Sequence, residues 1–130
     1  MSRVPELPRL RWSLGGTAST VGALVLGATV GVLALVVHRA GSAVPWGLVL
    51  GCASSAAGSV GLRALGLGPV GLTAYGAGWC VVVLTVLAGR PEGDYLVGGD
   101  ARGGAFLVAG AGSVVVVTAL GVAASSRADR

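Results

Sequence analysis

Four stretches of this chain contain no arginine, aspartate, glutamate or histidine: Ser13–Val37, Ala43–Leu62, Pro69–Gly89 and Ala105–Ser125. None is shorter than the roughly 20 residues a helix needs to cross the hydrocarbon core of a bilayer. Every charge lies in the gaps between them. Charged residues make up 11% of the chain, well under the roughly 25% of a soluble domain. The four blocks hold about two-thirds of the residues, so one membrane domain uses most of the length. The expected fold class is therefore all-α, an integral membrane four-helix bundle with spans at 13–37, 43–62, 69–89 and 105–125. A basic tail over 1–12, an outer loop over 90–104 and a short tail over 126–130 complete the plan.

The net charge of +4 comes from nine arginines and no lysine. They are scattered through the gaps and build no contiguous basic face, so no nucleic-acid partner is expected. Their distribution instead sets orientation. With the N-terminus inside, Arg3, Arg9, Arg11, Arg63, Arg127 and Arg130 are cytoplasmic, and only Arg39, Arg90 and Arg102 lie outside. Orientation follows the Arg and Lys excess in short loops, which favours N-in and C-in. Trp12 and Trp46 stand at block edges, where an indole prefers the headgroup level. The first block is longer than the apolar region of a signal peptide and is expected to be retained.

The second block is the least apolar. Gly47, Gly51, Ser54, Ser55, Gly58, Ser59 and Gly61 dilute it, and a re-entrant segment there would leave the C-terminus outside. Irregular backbone at that depth needs protein or water around it, which favours a full span that leans on its neighbours.

Small residues recur every fourth position in the first two spans. Gly15, Ser19, Ala23, Gly27 and Gly31 form one stripe, and Gly47, Gly51, Ser55 and Ser59 form another. Such stripes let backbones approach closely where lipid removes the hydrophobic drive between helices. The short gap from His38 to Ser42 makes spans one and two antiparallel neighbours, so these stripes are expected to pack on each other, or on a second protomer. An Ala/Gly/Val-rich composition also generates such spacings by chance.

The remaining motifs are weak. Gly66-Leu67-Gly68-Pro69-Val70-Gly71 matches G-x-G-x-x-G, but no strand precedes it and no acidic residue follows at the required distance, so it is expected to be a turn. No cofactor is expected. Cys52 and Cys80 fall at similar depths on opposite-running helices, which permits a disulfide without implying one, and their spacing with one histidine supplies no zinc signature. His38 fits a span-edge residue better than a proton relay. The outer loop concentrates polar chemistry, with Arg90, Glu92, Asp94, Asp100 and Arg102 as candidate recognition residues. Its acids suit a hard cation in principle, but the spacing is not an EF-hand and the simpler expectation is pairing with Arg90, Arg102, or Arg39 and His38 on the adjacent gap. No block contains the intramembrane charge that marks ion or substrate pathways, and no catalytic constellation is visible. The chain is therefore not expected to be an enzyme.

Arg90-Pro91-Glu92-Gly93-Asp94 closing the third span, with Asp100-Ala101-Arg102-Gly103 leading into the fourth, resembles a family of small four-span actinobacterial membrane proteins of unknown function. The resemblance implies the fold and a cell-membrane location and transfers no site. The leading expectation is a non-enzymatic accessory or assembly component with a membrane-protein partner or a homo-oligomeric state. The alternative is an oligomeric channel or transporter subunit with Ser and Thr lining its pore.

Overall fold

The computed structural model of the chain describes residues 9–88 and 100–128, and the side chains of residues 9–15, 125 and 128 fall outside that description. Helix α1 (Arg9–Val37) is followed by α2 (Trp46–Ala64) and α3 (Pro69–Leu87). A fourth rod comprises α4 (Ala101–Phe106), a π turn over Leu107–Ala111, and α5 (Gly112–Ala128). No strand occurs among the described residues. Three helical segments are long and apolar enough to cross a membrane: Gly16–Val37, Pro69–Leu87 and Ala101–Ala124.

Local chemistry explains the boundaries, several of which differ from the charge-free blocks. The described part of helix α1 begins at Arg9, inside the expected 1–12 tail. Its 29 residues extend about 43 Å at 1.5 Å per residue, more than a hydrocarbon core requires. Helix α2 begins only at Trp46, one residue beyond Pro45. The fourth rod starts at Ala101 rather than Ala105 because the Asp100 carboxylate accepts the Gly103 N–H at 3.0 Å and caps the first turn. Arg102 and Gly103, expected in a loop, are therefore helical.

The turn between α2 and α3 is a Schellman closure. Gly66 takes φ +81, the Leu67 N–H reaches the Leu62 carbonyl at 3.1 Å, and the Gly66 N–H reaches Arg63 at 2.9 Å. That left-handed residue at the first position past a helix is where glycine is favoured. Pro69 then opens α3 at its first turn, where its missing N–H costs nothing. The G-x-G-x-x-G match is thus a helix stop followed by a helix start.

Contacts fix the directions. Gly27 lies against Tyr75 and Gly31 against Trp79, so α1 and α3 run parallel. Gly47 lies against Val37 and Gly51 against Ala34, so α1 and α2 run antiparallel. Gly110 faces Trp79 and Gly121 faces Leu72, so the fourth rod opposes α3. Helix α1 packs on α3 and α2, and α5 packs on the same two helices from the other side. The α1–α2 turn and the start of α4 share one end of the bundle, termed the head end here. The α2–α3 turn lies at the opposite end.

This arrangement corrects the expected pairing of stripes. The upper part of the first stripe, Gly27 and Gly31, meets α3 rather than α2. A β-carbon on Gly27 would collide with the Tyr75 carbonyl, and one on Gly78 would collide with that of Leu24. Ala23 is buried in the same seam, whereas Ser19 is exposed beside the α2–α3 turn and Gly15 lies in the early turns of α1. The second stripe divides its contacts. Gly47 and Gly51 meet the end of α1, and Ser55 meets two aromatic side chains of α3. Sequence spacing alone could not say which helix each stripe would meet.

Candidate functional site

The buried interior is organised around Tyr75 and Trp79, spaced four apart on α3 and 0% and 1% exposed. Four residues is one helical turn, so both rings leave the same side of α3. The Tyr75 hydroxyl donates to the Ser55 carbonyl at 2.8 Å, and the Trp79 indole N–H donates to the Ser55 hydroxyl at 2.9 Å. Ser55 in turn donates to the Gly51 carbonyl at 2.7 Å. The Tyr75 ring fits only because Gly58 has no β-carbon; one there would meet its hydroxyl. Phe106 extends the cluster, with its ring centroid 6.1 Å from that of Trp79.

This seam has one cost. Ser59 is buried and its hydroxyl has no hydrogen-bond partner. Its ordinary acceptor within a helix is the carbonyl four residues earlier, which is that of Ser55. A carbonyl offers two lone pairs; the helix ladder uses one and Tyr75 takes the other. The Thr118 hydroxyl, beside a cleft of about 380 Å³ formed with Thr73, Gly76, Cys80 and Val114, is also unpartnered.

The head end differs in character. Arg39 and Asp100 form an ion pair at 3.2 Å, with side chains 47% and 52% exposed. Arg102 donates to the carbonyls of Gly41 at 2.9 Å and Ser42 at 2.6 Å. Together they latch the start of the fourth rod to the α1–α2 turn. The Gly103 N–H, followed by the Arg39 charge, holds the Asp100 carboxyl below its ordinary value. Beneath this latch sits His38, 1% exposed. Its Nδ1 lies 2.6 Å from the Leu35 carbonyl, and since a carbonyl only accepts, that nitrogen carries the proton. Nε2 is buried with no partner, and the imidazole lies against Phe106 with centroids 4.7 Å apart.

Of the candidate recognition residues, the structure brings together Asp100 and Arg102, and adds Arg39. Arg90, Glu92 and Asp94 lie outside the described residues. His38 stands directly after the last residue of α1, at the expected span edge, and is buried there against Phe106. Its burial follows from Phe106, which the first turns of the fourth rod set directly on it. Tyr75 and Trp79 were not singled out from the sequence, although two large aromatics one turn apart in an otherwise aliphatic span were the available signal. Cys52 and Cys80 are free thiols. Among the described residues no group of three His, Cys, Asp or Glu side chains is placed to hold a metal.

The fold and this interior define a class: a small all-helical protein with membrane-length apolar helices held together by small residues and a few buried hydrogen bonds. More particularly, the chain matches a family of unknown function, DUF6113, over residues 5–129, and it belongs to that family. No curated protein and no solved structure matches it.

Proposed function

We propose that the chain is a four-span membrane protein with both termini in the cytoplasm, and that it serves as a non-enzymatic accessory or assembly component. The observation that carries the four-span reading is the two-sidedness of α2. This helix is 19 residues long but is absent from the three apolar enough to be recognised as spans. Its polar and glycine positions, Gly47, Gly51, Ser55 and Ser59, are buried, while Val49, Leu50 and Val60 are exposed. Mean hydropathy averages both faces, whereas lipid meets only the outer one. A helix whose polar stripe is covered by protein therefore suits a bilayer despite a low average.

Hydroxyl placement supports an accessory role over the pore alternative. The lipid-side hydroxyls of Thr20, Thr29, Thr73 and Thr85 each donate to the carbonyl four residues earlier in their own helix. A hydroxyl so occupied has no need of water. In the interior, Ser55, Tyr75 and Trp79 are engaged with one another, so their polar atoms serve helix packing.

Topology is tested with single cysteines at Ala43 and Ser126 in a chain lacking Cys52 and Cys80. An impermeant thiol reagent applied outside intact cells should label only the first; labelling of the second would mean that α2 does not span. The accessory role is tested by affinity purification from native membranes. A stoichiometric membrane-protein partner supports it, whereas a defined homo-oligomer that passes ions in liposomes supports the pore alternative.

A further inference from the structure

Two different helices cover the two halves of the glycine and serine stripe on α2. Toward the head end, Gly47 lies against Val37 and Gly51 against Ala34, both on α1. Toward the α2–α3 turn the cover comes from α3. Tyr75 donates to the Ser55 carbonyl, Trp79 donates to the Ser55 hydroxyl, and the Tyr75 ring occupies the space over Gly58. Helix α1 precedes α2 in the chain, so its half of the cover exists before α2 is made. The other half exists only once α3 has followed, across the short turn from Leu65 to Gly68.

Alone, α2 is a poor entrant to lipid. It is not among the segments apolar enough to be recognised as spans, whereas the apolar parts of α1 and α3 both are. Without α3 beside it, hydrocarbon would meet the Gly58 groove and the polar side of Ser55. Polar groups at that depth have to be satisfied by protein. Tyr75 and Trp79 bring the needed donors on large apolar rings, so α3 stays apolar enough to cross while supplying what α2 lacks.

We propose that α2 takes up its spanning position only together with α3, which acts as its insertion partner within the same chain through Tyr75 and Trp79. This inference rests on the four-span reading and adds what makes the weakest span cross. When the partnership fails, α2 stays at the membrane surface. Its two flanks, Ala43 and Leu65, then lie on one face of the membrane instead of two.

The test uses the full chain without Cys52 and Cys80, bearing a single cysteine at exposed Ala43 or at Leu65, 78% exposed. An impermeant thiol reagent outside intact cells should label one position and spare the other. In Tyr75→Leu/Trp79→Leu, which keeps α3 apolar, chains with both flanks on one face should appear. A hydrogen bond between membrane helices shifts an equilibrium by roughly threefold, so losing two of them should raise that fraction roughly tenfold. Trp79→Leu alone should raise it about threefold, and serves where the double variant is degraded. Ala53 and Ala57 are exposed positions of α2. Ala53→Leu/Ala57→Leu makes the helix more apolar without touching the Ser55 seam, and should return the flanks of the aromatic variants to opposite faces. Two lipid-facing leucines would not repair a mere loss of core packing. Labelling of both flanks in the otherwise unaltered chain would mean that α2 does not span, and the four-span reading itself would fail. Flanks that stay on opposite faces in the aromatic variants, or a change that the leucines do not reverse, would overturn the proposal and leave the four spans standing.

Discussion

The seam around Ser55 and the latch around Asp100 are both polar contacts between helices, yet they differ in what surrounds them. In the seam, Tyr75 and Trp79 donate hydrogen bonds where no water competes, and their rings fill the space between α1, α2 and the fourth rod. In the latch, Arg39 and Asp100 stand about half exposed, so water can replace either partner. The first kind of contact makes the bundle one unit. The second ties the start of the fourth rod to the α1–α2 turn, near His38 with its unpartnered Nε2.

That contrast can be broken most strongly at Trp79. Trp79→Ala removes a fully buried ring together with its hydrogen bond and should destabilise the bundle by about 3–5 kcal/mol, read as a loss of folded protein on thermal challenge in detergent. Trp79→Phe should cost much less, which separates ring from hydrogen bond. Next in size is Gly27→Ala. Its new methyl would have to displace the Tyr75 carbonyl of α3, a backbone atom that cannot turn aside, and overpacking of this kind costs about 1–3 kcal/mol. Thermal stability should fall there but stay unchanged for Gly22→Ala, where the same methyl meets open space. Ser55→Ala should cost about 1 kcal/mol, in the range measured for hydrogen bonds between membrane helices.

The smallest effect is expected at the latch. Asp100→Ala should lower thermal stability less than Ser55→Ala does, and the difference from wild type should shrink in high salt. Its pH dependence has a definite sign. The folded-state value of Asp100 lies below its ordinary one because of the Gly103 N–H and Arg39. Its contribution is therefore complete above the ordinary carboxylate range and is lost as pH falls through the lowered value. Wild type and Asp100→Ala should converge only in acid, below the ordinary carboxylate range. A convergence near neutral pH would mean that the Asp100 carboxylate is not what carries the effect.

Much of the fold was legible in the chain because lipid imposes its constraint one helix at a time. Charge-free stretches of spanning length, Pro69 at a helix start and Gly66 at a helix stop each act through local backbone chemistry that neighbours do not change. The candidate site was legible only in part. Asp100, Arg102 and Arg39 were identifiable as a potential pairing set because they are the charged residues of adjacent gaps. The burial of His38 was not, since it depends on Phe106, some seventy positions away, arriving on the rod that Asp100 caps.

By itself, then, the sequence determined that the chain is helical, roughly where its long apolar segments lie, and which positions carry small residues. Those properties follow from the need to satisfy every backbone group within each helix. Only the tertiary structure decided that the α1 stripe meets α3, that Ser55 receives two aromatic donors, and that one histidine is sealed beneath a weak ion pair. These helices are apolar on nearly every side, so their lateral arrangement leaves little trace in periodicity. It is settled by which small and large side chains interlock, a property of pairs of helices and not of any one of them.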